Sequence, residues 1–351
     1  MRPMKRLTDR KTIIKKILQS LPAVVVAVAF VIYGATFLPA TIGQMERSVV
    51  LVEGVSYYEL RADGRPVMMF RSLGDSLLPE NLSFKADSTV VTRTFMSGFW
   101  VKKLPFIASC GGRIVIANSD STAAKQAVLA NKTLPKIIEK AAERMTALIR
   151  RLDRKAEETD YYMRVHNVND DGYNVMAEYS ESIKAQKEKT GKLLSALKRL
   201  ATKKHIEVRL IAEYALITAD STGNTSRTVC NVMTKRMTSP FLLLRTEDGT
   251  MTDGARAVYL HRWLSPSLAP GDSVITAAIA GCGSYKFNPR KARQATFTDV
   301  MRDSLRHDVP SLLAPDGAVV FTRSGRLAGV STGGRITKPA AFGLGLKELL
   351  K

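Results

Sequence analysis

The chain changes its hydrophobic rhythm four times. From Leu21 to Gln44 no Asp, Glu, Lys or Arg appears, and the run LPAVVVAVAFVIYGATFLPATIG is long enough to cross a hydrocarbon core of about 30 Å as a helix. Residues 48–121 then read as strands. The segment SVVLVEGVSYYELRADGRPVMMF holds two β-rich runs around Ala62-Asp63-Gly64, a hairpin-turn signal, and STVVTRTFMSGFWV and GRIVIAN add further strands. Residues 122–205 switch to helical spacing. Leu134, Ile138, Ala141, Met145, Leu148 and Leu152 recur in steps of three and four, as do Met176, Tyr179, Ile183, Gln186, Thr190, Leu193, Leu197 and Leu200. Between these runs NVNDDGYN (Asn167 to Asn174) is a cluster of turn formers, so an antiparallel coiled-coil hairpin with arms of roughly 30 residues is predicted. Residues 206–336 return to short strands separated by turns such as EDGTMTDG and RSGR.

Composition adds less than position does. The 351 residues are 45% hydrophobic, with 3 Cys and a net charge of +21, which excludes a disordered tail, a collagen-like chain and a disulfide scaffold. Residues 1–20 carry seven Lys or Arg against Asp9 alone, a local +6. Basic residues before an apolar span place the N-terminus in the cytoplasm and the bulk outside. The expectation is a cytoplasmic basic segment (1–20), a transmembrane helix (21–43) and a periplasmic or otherwise extracytoplasmic body on the inner membrane. A cleaved signal peptide is the alternative, although Leu38-Pro39-Ala40 lacks the small residue a cleavage site needs. An exported body does not meet genomic DNA, so no nucleic-acid partner is expected and the remaining +15 reads as solvated surface.

Few residue patterns suggest chemistry. Cys110, Cys230 and Cys282 lack CxxC spacing, and His166, His205, His261 and His307 lack metal-ligand spacing, so neither a metal nor a cofactor is expected. Gly74-Asp75-Ser76 and Gly271-Asp272-Ser273 run into apolar segments where a nucleophilic turn would need another glycine. Gly281-Cys282-Gly283 and Thr332-Gly333-Gly334 read as turns, Asp170-Asp171 as a solvated loop.

The order of segments resembles trypsin-like serine peptidases of the chymotrypsin fold, in particular the Deg-type peptidases of bacterial envelopes. MSGFWV (Met96 to Val101) and GGRIVIANSD (Gly111 to Asp120) are similar to the first-barrel strands that lead to the catalytic histidine. LAPGDSVITAAIAG and LLAPDGAVVFTRSGRLAGVSTGG are similar to a second-barrel strand and the nucleophile turn, and AAFGLGLKELLK to the closing helix. The resemblance implies a double β-barrel, mainly β, with barrels at 48–121 and 206–351 and the hairpin inserted between them.

It also implies that the catalytic triad is missing. Ser119 stands at the histidine position, Ala255 at the acid position with Asp253 two residues before it, and Asp316 at the nucleophile position. The oxyanion turn falls on Ala314, Pro315 and Gly317, where proline removes a backbone donor. A membrane-anchored pseudo-peptidase follows, binding protein or peptide between the barrels, with self-association through the hairpin open. An active endopeptidase is the second reading and requires His261 or His307 to reach a serine. The third is a membrane-fusion-type adaptor, which needs lipoyl-like half-motifs flanking the hairpin; only APDGAVV resembles one.

Overall fold

A computed structural model describes residues 22–29, 40–74, 77–102, 111–219, 224–260, 266–284 and 286–342. Most of the expected 21–43 span lies outside these residues. Its described parts are a helical stretch, α1 (22–29), and the start of α2 (Ile42–Glu46). Among the described residues no helix is long and apolar enough to cross a membrane. The expected closing helix (343–351), His261 and Cys110 also lie outside them.

Two closed, six-stranded, antiparallel barrels are built from the strands. The first contains β1 (Val49–Ala62), β5 (Thr92–Lys102), β6 (Arg113–Ala117), β7 (Ile206–Ala219), β8 (Thr225–Val232) and β9 (Phe241–Thr246), in the order β5-β6-β9-β8-β7-β1, closed by β1 on β5. Two strands extend its sheet: β2 (Arg65–Phe70) beside β1 and β10 (Val258–Tyr259) beside β5. The second barrel closes β11 (Ser273–Ile279), β12 (Gln294–Asp303), β13 (Arg306–His307), β16 (Arg335–Thr337), β15 (Leu327–Thr332) and β14 (Val319–Thr322). A small pair, β3 (Ser72–Leu73) and β4 (Pro79–Glu80), stands apart from both.

The helical insertion therefore lies within the first barrel, between β6 and β7, and not between the two barrels as expected. The reason is closure. Residues 48–121 supply only β1, β5 and β6 to the ring, and a barrel of three strands cannot close around a filled interior. The chain returns from the insertion to add β7, β8 and β9, so the second barrel begins near β11 and not at residue 206.

Burial explains the local patterns. The first four residues of β1, Val49 to Val52, are all buried, because that end of the strand is covered on both faces. One core includes Val49, Leu51, Phe99, Val115, Phe241 and Leu243 of the first barrel together with Ile275, Ala277, Val319 and Phe321 of the second. Farther along, β1 alternates buried and half-buried positions, the mark of a sheet covered on one face. The turn from β1 to β2 has Asp63 at φ 51° and Gly64 at φ 78°, the left-handed pair that a two-residue hairpin requires.

The described residues divide into two compact units, and β1, β5 and β7 run through both. One takes the residues up to Glu53, Phe95–Asn118 and those from Tyr214 on; the other takes Gly54–Thr94 and Ser119–Glu213. The second unit contains α3 (Ser121–Lys132), α4 (Leu134–Val165) and α5 (Tyr173–Ala201). The last two form the predicted hairpin; at 1.5 Å per residue the 32 residues of α4 reach about 48 Å. Ile137, Ile138 and Ala141 of α4 pack with Leu193, Leu197 and Leu200 of α5, over Tyr58, Leu60, Met68 and Phe70 of the β1–β2 hairpin. Tyr58 stacks on Phe70 with ring centroids 4.9 Å apart.

Candidate functional site

The turn expected to carry the nucleophile is locked in place by backbone bonds. The amide of Gly317 donates to the carbonyl of Ser331 (3.0 Å), and the amide of Ser331 donates to that of Ala318 (2.8 Å). Asp316 is exposed, and its Oδ1 accepts from the amide of Gly333 at 2.7 Å. Ala314, Pro315 and Gly317 are buried. Gly317 has φ +94°, and a Cβ there would lie 2.2 Å from the carbonyl oxygen of Ser97 and 3.4 Å from the amide nitrogen of Ala117. The second-barrel turn is thus pressed against β5 and β6 of the first barrel, and the amide of Gly317 is already taken by the Ser331 carbonyl.

The same corner holds a sulfur atom. Cys282 is 5% exposed, and burial pushes its thiol up to about 12; the amide of Ser97 acts against the shift and the charge of Asp316 adds to it. Ser97 Oγ meanwhile accepts from the amide of Ile279 at 3.2 Å. A thiol held neutral in this way is a packing group and not a nucleophile.

The other two aligned positions supply no chemistry. Ser119 is exposed and lies just before Asp120, the N-cap residue of α3. Its neighbour Asp120 is buried, accepts from Ser56 Oγ at 2.9 Å and adds to the rise of the Tyr58 hydroxyl to about 12, which is due mainly to burial. Ala255 is half-buried after the Asp253-Gly254 turn, its amide bonded to the carbonyl of Thr252. Asp253 is exposed.

One serine and one histidine do meet, elsewhere. His307 Nε2 lies 2.8 Å from Ser331 Oγ inside the second barrel, where the residues are 4% and 0% exposed. In a working triad the far ring nitrogen, Nδ1, is held by an acid. Here Nδ1 is buried without a partner among the described residues, and the Oδ2 of nearby Asp299 accepts instead from the amide of Asp308. Burial lowers the His307 pKa; the charges of Asp299 and Asp308 oppose this more weakly. No sequence signal singled out Ser331, since the two residues are 24 positions apart and meet only through β13, β16 and β15.

A space large enough for a ligand lies elsewhere in the same unit. A cavity of about 530 Å³ is walled by Val49 to Leu51 of β1, Leu216 to Ala219 of β7 and Ile279, with Glu46, Thr252, Arg293 and Gln294 as its polar lining. Glu46 Oε1 accepts from Thr296 Oγ1 (3.1 Å), and the Gln294 amide donates to the carbonyl of Val49 (2.7 Å). Both barrels contribute walls. The volume is within the range of ligand pockets, about 300–1,000 Å³. No group of three or more His, Cys, Asp or Glu placed to hold a metal occurs among the described residues.

No protein-family model matches the chain, and no curated protein matches it. Solved structures similar to it include Deg5 and the MamO protease domain. The crystal structure of Deg5 shares 11% identity over 80% of this chain and 78% of its own, with a TM-score of 0.27. The apo form of the MamO protease domain from Magnetospirillum magneticum shares 14% identity over 35% of this chain and 68% of its own, with a TM-score of 0.23. At these scores the fold rests on the chain's own strand pairing. It is two closed six-stranded barrels with a helical hairpin inserted.

Proposed function

We propose that the chain is a membrane-anchored, trypsin-like domain of the cell envelope that has lost its catalytic triad. It binds a protein or peptide segment in the cavity walled by both barrels and uses the helical hairpin as a docking arm. The observation that carries this reading is the state of the nucleophile turn. Its aligned nucleophile is a carboxylate that accepts from the amide of Gly333, and the amide of Gly317 is already bonded to the carbonyl of Ser331. A triad needs nucleophile, base and orienting acid together. Ser119, Ala255 and Asp316 provide none of the three in its place.

The pair His307–Ser331 favours a second reading, an active endopeptidase with a displaced site. Its geometry meets one requirement, the bond between nucleophile and base, and misses two: the serine is closed to solvent and Nδ1 has no acid. The adaptor reading has less support, since the described strands form no small lipoyl-like sandwich at the base of the hairpin. Labelling with a fluorophosphonate serine probe, beside casein hydrolysis and an active trypsin-like control, tests the proposal. A silent protein supports the binding domain; one stoichiometrically labelled serine supports the peptidase.

A further inference from the structure

The hairpin is polarised in both charge and hydrophobicity. Its base, residues 121–151 and 189–204, carries 13 Lys or Arg against Glu139 and Glu143, a net +11. The distal part, 152–188, carries nine Asp or Glu against five Lys or Arg, a net −4. Lys184 and Lys187 already neutralise Asp160 and Asp153, but Glu157, Glu158, Glu178 and Glu181 make no ion pair among the described residues. This distal part also exposes large apolar side chains: Tyr161 at 65% and Val165 at 56% on one helix, Val168 at 64% in the loop, Val175 at 68% and Tyr179 at 42% on the other. Each helical pair is spaced i, i+4 and so shares a face.

The base has the complement. A groove of about 660 Å³ runs between α4 and α5, floored by Ile138, Ala142, Ala147 and Leu197 and rimmed by Arg150 and Lys198, with Glu139 and Glu143 also along it. We infer that two copies of this chain pair through their hairpins in antiparallel fashion, the acidic, apolar tip of each seated over the apolar groove in the basic base of the other. The arrangement is isologous: tip meets groove twice about one two-fold axis, which closes the assembly as a dimer. From Ala142 to Val165 is about 35 Å of helix, so the axis falls near Asp153 and Lys187, midway along the arms. A parallel pairing would instead stack the −4 tips and the +11 bases on their like.

The inference is independent of the barrels' chemistry, so loss of pairing would leave the reading of the cavity standing. The test uses the full chain in mild detergent, on a Cys110→Ser background. Val165→Cys and Ala142→Cys chains are oxidised separately and mixed, and the dissociation constant is measured by sedimentation. Pairing as inferred gives a disulfide only in the mixture. Glu157→Lys with Glu158→Lys then raises the dissociation constant at least tenfold, and adding Arg150→Glu with Lys198→Glu restores it. A monomer at all concentrations, cross-linking of Val165→Cys chains to one another, or indifference to the charge reversals would overturn the inference.

Discussion

The hydroxyl of Ser331 lies 2.8 Å from Nε2 of His307, while the carbonyl of the same serine receives the amide of Gly317. One residue thus joins the interior of the second barrel to the turn that carries Asp316 and Gly317. Replacing Ser331 with Ala leaves both ring nitrogens of His307 buried without partners. A loss of about 1–3 kcal/mol in stability to urea is expected, with no change in the response to a fluorophosphonate probe.

The acid limb of stability should follow His307. Its folded pKa lies below the ordinary histidine value of about 6.5, so the unfolded chain binds a proton first as pH falls. Stability is therefore full above about pH 6.5 and declines as pH drops from there through the depressed folded pKa. Urea midpoints between pH 7.5 and 5 should fall in the wild type and fall less in His307→Gln.

Gly317→Ala tests the contact between the turn and the first barrel. The new Cβ would lie 2.2 Å from the carbonyl oxygen of Ser97, at a φ of +94° that side chains avoid. A cost of about 3 kcal/mol is expected from backbone strain and overpacking together, read as a lower thermal midpoint.

The buried thiols should be inert in the native protein. Burial pushes Cys230 up to about 11 and Cys282 up to about 12, so neither is a thiolate at neutral pH. Both should resist a disulfide reagent at pH 8 until denaturant is added; rapid native labelling of Cys282 would show that the corner between Ser97 and Asp316 opens.

Leu197 is fully buried in the hairpin seam. Leu197→Ala should cost about 2–5 kcal/mol, measured by the loss of helical ellipticity with temperature.

Local patterns were legible in the sequence; pairings between distant segments were not. The Asp63-Gly64 turn, the strands around Phe99 and Val115, and the hairpin with its loop near Asp170 were all readable, because each depends on neighbours in the chain. The seam was readable in its parts: Ile183, Thr190, Leu193, Leu197 and Leu200 are buried as expected, but Tyr179 and Gln186 are exposed and Ser180 faces inward. A strict heptad drifts against a helix of 3.6 residues per turn, which accounts for such slippage. The placement of the hairpin inside the first barrel was not readable, since β7 carries no mark saying whether it pairs back to β1 or forward. The meeting of His307 with Ser331 has the same origin, two strands apart in the ring.

The central claim is that the barrels bind and do not cleave. The most direct measurement is fluorophosphonate labelling of residues 45–351, followed by peptide mapping, with casein hydrolysis and Ser331→Ala run alongside. The account predicts no labelled serine and no turnover in either protein. Stoichiometric modification of one serine, with casein turnover that Ser331→Ala abolishes, would contradict it and place a working active site inside the second barrel.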